Sequence, residues 1–171
     1  MEIRILRADD AGEWWRLRLQ ALQGEPEAFS SSAEEHQALS LDDVRKRLGG
    51  GGDSFVVGAF EEGRLVGMAG FHRETGLKTC HKGRIWGVYL TLSKPGQGVG
   101  RKMLQTLLQR AAEINGLQQI QLSVTSTQAA ASGLYRSMGF EVFGTEPRAI
   151  KVGDRFIDED YLVLRLHSAA N

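Results

Sequence analysis

The chain lacks most of the features that would direct it to a polyanion, a membrane or an oxidising compartment. Its 21 Lys and Arg are matched by 21 Asp and Glu, so no net basic field exists to draw DNA, RNA or anionic lipid. A single cysteine, Cys80, excludes an internal disulfide and suits a reducing compartment; a passive thiol is its expected role. No apolar run approaches the ~18 residues of a membrane-spanning helix, and no basic-then-apolar leader opens the chain. The expected address is cytoplasmic, with neither a membrane nor a nucleic acid as partner. No internal repeat appears, and the only biased tract is Gly49 to Gly52. What is left is an ordinary composition, 42% hydrophobic and 25% charged over 171 residues, which suffices for one domain with a buried core.

Hydrophobic periodicity divides the chain into alternating element types. Glu2 to Leu6 alternates as a short strand, and Asp9 or Asp10 then caps a helix that carries Trp14, Leu17 and Ala21 on one face and stops at Gly24-Glu25-Pro26. Glu27 to Gln37 is polar and is expected as a loop or ragged helix. Ser40 with Asp43 opens a further helix bearing Val44 and Leu48, which the four glycines end. Ser54 to Phe60 and Arg64 to His72 form a hairpin through Glu61-Glu62-Gly63. Arg84 to Leu92 is a strand, Arg101 to Asn115 a helix closed by Gly116, and Gln119 to Val124 a strand. Thr127 to Met138 is a helix, and Phe140 to Phe143 and Phe156 to Leu166 are the last strands. The order β-α-α-β-β-β-α-β-α-β-β predicts an α+β fold, a mixed sheet with helices packed on it.

The most informative stretch is Val88 to Leu108, VYLTLSKPGQGVGRKMLQTLL. A strand breaks at Ser93-Lys94-Pro95, glycines follow at 96, 98 and 100, and an amphipathic helix begins. The first turn of a helix leaves backbone N–H groups unpaired at the positive end of the dipole, and glycine keeps Cβ atoms away from them. Such a turn suits a phosphate or pyrophosphate, and Arg101 and Lys102 add charge. No Lys-Ser or Lys-Thr pair follows the loop, against a Walker A reading. The glycines run G-x-G-x-G and no carboxylate stands near Gln118 to Gln121, against a dinucleotide fingerprint.

The stretch resembles motif A of the GNAT superfamily of acyl-CoA-dependent N-acyltransferases, [RQ]-x-x-G-x-[GA] after a strand, laid from Pro95 through Gly98 to Gly100. Pro95 stands where that family usually has Arg or Gln. Downstream, Gln128 to Phe140 (QAAASGLYRSMGF) resembles the family signature N-x-x-A-x-x-L-Y-x-x-x-G-F, with Ala131, Leu134, Tyr135, Gly139 and Phe140 in register and Gln128 in place of Asn. The resemblance implies a mixed, mostly antiparallel sheet with helices on both faces, and an N-acetyltransferase that moves an acetyl group from acetyl-CoA to a primary amine of a small molecule or peptide by direct attack. No metal is expected.

The same resemblance assigns site residues. Leu90 and Thr91 would lie beside the pantetheine arm, Gly96, Gln97, Gly98, Val99, Gly100 and Arg101 around the phosphates, and Gln128 at the cofactor. Tyr135 would be the general acid that protonates the departing sulfur. Candidates for the base are Glu34, Glu35, His36, His72 and His81, and candidates to line the amine pocket are Phe29, Glu35, Trp86 and Tyr89. A catalytically silent acyl-CoA-binding module is the alternative to an enzyme. A homodimer is expected through the last strands, because Phe156 to Leu166 is long and apolar enough to need cover.

Overall fold

The computed structural model describes residues 1–91 and 96–166. Its strands are β1 (Glu2–Ile5), β2 (Ser54–Glu61), β3 (Arg64–Arg73), β4 (Lys82–Leu90), β5 (Gln119–Thr125), β6 (Glu141–Val152) and β7 (Arg155–Arg165). They form one sheet in the order β1-β2-β3-β4-β5-β7-β6. Every neighbouring pair is antiparallel except β4 and β5, so the fold is the mixed, mostly antiparallel sheet expected. The helices are α1 (Ala11–Gly24), α2 (Ala33–Gln37), α3 (Leu41–Gly49), α4 (Val99–Ala112) and α5 (Ala129–Ser137).

Two apolar layers lie on opposite faces of the sheet. On one, α1 and α3 bring Trp14, Leu17, Ala21, Val44 and Leu48 against Val56, Phe60 and Met68. On the other, Met103, Leu104, Leu107 and Ala111 of α4 cover Val57, Ala69, Phe71 and Ile120. Alternation along β2 explains the division, since consecutive side chains of a strand point to opposite faces. Full burial of each such Leu or Phe contributes about 1.5–3 kcal/mol.

Several boundaries differ from the sequence expectation, each for a local reason. The Asp10 carboxylate does not cap α1. It is held by the Arg4 guanidinium at 2.7 and 2.8 Å and by the Arg7 amide at 2.7 Å, and a 3-10 turn (Ala8–Asp10) precedes the helix. Ser40 does form its capping box with Asp43, and the polar segment before it contains a second box, Ser32 with Glu35, that nucleates α2. The strand expected to end at Leu92 is described only to Leu90; Leu92 and Pro95 lie outside the described residues.

The largest difference is β6, twelve residues long where only Phe140 to Phe143 was expected. Pro147 and the polar Glu146 and Arg148 break the alternation that marks a strand, but β6 is the sheet edge, where a proline costs no ladder bond, and a register irregularity between Glu146 and Ile150 absorbs it. β7 in turn lies between β5 and β6, so it is covered within the sheet and needs no second copy to cover it.

The backbone of β4 contains a bulge. Gly70 pairs with Trp86 and Met68 with Tyr89, so Gly87 and Val88 oppose Ala69 alone, and Gly87 takes a positive φ of 61°. A one-residue bulge reverses the side-chain alternation. Trp86 and Tyr89 therefore face α1 while Ile85, Val88 and Leu90 face α4. Gly70 makes room for the displaced indole, because a Cβ there would lie 2.2 Å from Trp86 Cε2. The substitution Gly70→Ala is expected to destabilise the fold by about 2 kcal/mol, roughly a 6 °C fall in Tm, which a thermal melt would measure; an unchanged Tm would contradict the packing.

Among the described residues no helix is long and apolar enough to cross a membrane, and no cluster of His, Cys, Asp and Glu could hold a metal ion.

Candidate functional site

The site begins where the sheet parts. β4 and β5 pair only between Lys82–Arg84 and Gln119–Gln121 and then diverge, leaving a gap between the rest of the two strands. The Thr91 amide donates to the Val66 carbonyl at 2.8 Å, so Thr91 is turned toward β3, away from where the donor arm was expected. Peptide groups alternate sides along an antiparallel strand, so those of Leu90, opposite Gly67, face the gap.

At the open end of β4 stands α4. It starts at Val99, two residues before the expected Arg101, with Gly98 as its N-cap at φ 68° and no side chain capping it. The first backbone bond into the helix is Lys102 N–H to the Gly98 carbonyl, 3.1 Å. The amides of Val99, Gly100 and Arg101 thus have no acceptor among the described residues, as the helix geometry requires. Gly96, at φ 84°, and Gly98 have open space where a Cβ would project. Gln97 is exposed between them. The Arg101 guanidinium donates to Ser137 Oγ at 2.7 Å and so ties the start of α4 to the end of α5. Pro95, the position of the motif departure, lies outside the described residues.

A cavity of about 70 Å³ occupies the gap, walled by Trp86, Gly87 and Val88 of β4, Leu122 and Val124 of β5, and Gln128, Ala131 and Tyr135 at α5. Gln128 is the residue preceding α5, its amide bonded to the Thr125 carbonyl at 3.0 Å. Tyr135 is 5% exposed and packs edge-on against Phe140, ring centroids 6.1 Å apart. No hydrogen bond holds its hydroxyl among the described residues, and burial pushes the phenol up to about 12. The phenol is therefore protonated across the physiological range.

A second cavity, of about 400 Å³, lies on the α1 side of Trp86. Trp86 lines both. Of the pocket residues expected from sequence, Phe29 and Trp86 line the first cavity, Glu35 and Trp86 the second, and Tyr89 meets Phe29 edge-on at 6.4 Å. The Glu35 carboxylate accepts from the Ser32 amide at 2.8 Å, so its first role is to hold α2 together.

His36, 4% exposed, is the buried member of the base candidates. Its Nε2 lies 2.9 Å from the Trp15 carbonyl, which only accepts, so Nε2 carries the hydrogen and Nδ1 is the free lone pair of the neutral ring. Burial holds the imidazole below its ordinary pKa; the bond to Trp15 opposes this, and the charges of Arg18 and Arg47 reinforce it. Glu34 is exposed beside a separate cavity near the β6–β7 turn. His72 sits in β3, also shifted down by burial, and His81 precedes β4; neither lines the cavity at the gap or the one on the α1 side of Trp86.

Sequence reasoning overlooked one residue. Arg18 lies on the face of α1 that carries Trp14, Leu17 and Ala21, and is 8% exposed. Its position at four residues from Trp14, within an apolar stripe, was the available signal. Its Nη1 and the Trp14 Nε1 are the two buried side-chain polar atoms without a partner among the described residues.

The model of the Acetyltransferase (GNAT) family matches residues 14–140. An L-methionine sulfoximine/L-methionine sulfone acetyltransferase of Pseudomonas aeruginosa is 34% identical over 79 residues, 46% of this chain and 45% of that protein. A spermine/spermidine N(1)-acetyltransferase of Bacillus subtilis is 34% identical over 91 residues, 52% of this chain and 60% of that protein. The chain thus spans about half the length of the curated relatives it matches. A GNAT acetyltransferase structure from Streptococcus pneumoniae superposes with a TM-score of 0.85 at 20% identity, covering 97% of this chain and 99% of that one. A putative acetyltransferase of Salmonella typhimurium, yncA, solved with acetyl-CoA, gives 0.79 at 23% identity, covering 100% of this chain and 96% of that one. At these identities the structural likeness concerns the fold.

Proposed function

This chain belongs to the acetyltransferase (GNAT) family, and from that premise we propose that it moves an acetyl group from acetyl-CoA to a primary amine of a small molecule or peptide by direct attack. One observation carries the reading: a buried tyrosine lines the gap between β4 and β5, near which a helix starts, and among the described residues neither its hydroxyl nor the first amides of that helix have a hydrogen-bond partner.

The residues fit the donor. The amides of Val99, Gly100 and Arg101, preceded by Gly96 and Gly98 with open space where a Cβ would project, are suited to a diphosphate. The peptide groups of Leu90 offer bonds to an extended amide arm, as a free strand edge does. Acetyl-CoA supplies an activated acyl carbon and a thiolate leaving group. Tyr135 supplies the O–H directed at the departing sulfur. A backbone N–H of β4 at the gap would steady the oxygen of the attacked carbonyl, a contribution of about 3–4 kcal/mol where such donors have been removed. His36, neutral with Nδ1 free, takes the proton that the attacking nitrogen sheds. The atoms balance: an N–C bond forms, the C–S bond breaks, the amine's proton passes through His36 to solvent, and the CoA thiolate leaves hydrogen-bonded to Tyr135 and takes its proton from solvent.

The reading includes a cytoplasmic address, in keeping with the free thiol of Cys80, and a homodimer. The exposed Val142 and Phe143 on the edge strand β6 support the second better than β7 does.

Mixing the protein with acetyl-CoA and a panel of amines should release free CoA thiol. CoA alone at 100 times its dissociation constant should raise stability by about 2.7 kcal/mol, roughly 8 °C in Tm, while ATP and NAD leave Tm unchanged. Tight CoA binding with no release for any amine would instead make the protein an acyl-CoA-binding regulator.

A further inference from the structure

The cavity behind Trp86 has two arginines, Arg18 and Arg47, and one carboxylate, Glu35, among its lining residues. Trp14 and Arg18 stand four residues apart on α1, hence one above the other on a single helix face, and both line this cavity of about 400 Å³. Each buries a nitrogen that donates to nothing among the described residues, Nε1 of the indole and Nη1 of the guanidinium. Both groups are donors only. The missing partner is therefore an acceptor, and for the guanidinium an anionic one.

Three other observations favour an anion. A buried charge without a counter-ion is costly, and no carboxylate pairs with Arg18: the fold's ion pairs among the described residues lie elsewhere. Its stacking on the Phe29 ring, 4.7 Å to the centroid, satisfies the face of the guanidinium and leaves its N–H edge open. Arg47 adds a second positive charge to the cavity wall, and the one carboxylate among the lining residues is Glu35, already engaged by the Ser32 amide.

The anion would not be the donor's diphosphate, whose amides lie at the start of α4. It belongs to the acceptor. Trp86 lines both cavities, and Gly87, which walls the cavity of Tyr135, touches Arg18: a Cβ on Gly87 would lie 3.2 Å from Nη1. An acid held at Arg18 therefore stands one residue from the gap in which the amine must react.

We propose that Trp14 and Arg18 form an acid-binding subsite, so that the acceptor is an amine carrying its own carboxylate or a comparable oxyacid within a few bonds, an amino acid and not a polyamine. The proposal rests on the acetyl-transfer reading for its amine half, while the subsite itself stands on the orphaned donors.

The test compares the twenty amino acids with their carboxamides, and with spermidine as an acid-free amine, in wild type, Arg18→Met and Arg18→Lys. Two readouts are taken, CoA release and calorimetric binding in the presence of CoA. In wild type at least one acid is preferred over its amide by about 10²-fold, as expected when a charged hydrogen-bond partner is deleted. In Arg18→Met that ratio falls to about 1, with Arg18→Lys between. Arg18→Met should melt no lower than wild type without ligand, because it removes an unpaired buried charge; a lower Tm together with an unchanged acid-to-amide ratio would make Arg18 structural and overturn the subsite. So would amides or spermidine binding as well as the acids, or no acid binding at 10 mM. Arg18-dependent binding of an acid that is never acetylated would retain the subsite and remove the transferase. Acetylation of spermidine alone would do the reverse.

Discussion

Replacing Tyr135 by Phe should lower kcat for acetyl transfer by about 10²-fold while leaving the fold and the affinity for CoA intact. The magnitude is that of a lost general acid. The clean separation from folding follows from the structure: the hydroxyl has no hydrogen-bond partner among the described residues, and the ring's contact with Phe140 survives in the variant. The pKa sharpens the prediction. Burial pushes the phenol up to about 12, so it stays protonated at every assay pH below about 11, and the rate should show no descending limb from its ionisation. The rate should instead rise with pH as the amine, pKa about 10 in free form, loses its proton. A phenol at about 12 facing an alkyl thiolate, about 8.5 by analogy with cysteine, would have to yield its proton some three pH units uphill. Hydrogen-bond donation to the developing charge therefore describes its action better than complete transfer before the C–S bond breaks. A Tyr135→Phe enzyme with wild-type kcat would remove Tyr135 from the chemistry.

The second large effect should come from Gly98. The substitution Gly98→Val forces a β-branched residue into φ 68° and puts its side chain into open space at the start of α4. The dissociation constant for CoA should rise by about 10²-fold. Strain alone would also lower stability, by about 1–2 kcal/mol for a left-handed residue, so a matched control is needed. Gly153, at the β6–β7 turn, has φ 59° and likewise open space within 4 Å of where a Cβ would stand. Gly153→Val should match the fall in Tm and leave CoA affinity unchanged. Equal CoA affinities in the two variants would mean that the start of α4 does not hold the diphosphate.

The parts of this molecule that were legible in sequence are those in which local pattern and tertiary role agree. The α4 stripe of Met103, Leu104, Leu107 and Ala111 packs as its spacing implies, and the glycine run before it ends in a left-handed N-cap. The two family signatures meet, Arg101 of the first donating to Ser137 of the second, with Gln128 and Tyr135 of the second lining one cavity. Pattern failed where tertiary context overrode it. Pro147 disguised an edge strand that tolerates it, whereas the short α2 falls within the segment expected as a loop or ragged helix. The bulge at Gly87, signalled by a lone glycine in a strand, puts Trp86 and Tyr89 on one face. The bond of the Thr91 amide to the Val66 carbonyl was not legible either. Arg18 escaped notice because a charged residue in a helix usually faces water; only its alignment with Trp14 pointed inward.

The divergence of β4 and β5 has a mechanical meaning. Three residue pairs are all that lace the two strands together, so the sheet is in effect two panels joined by a short seam, with the rest of the interior edge left unlaced. Whatever lodges there substitutes for the absent ladder rungs and bridges the panels.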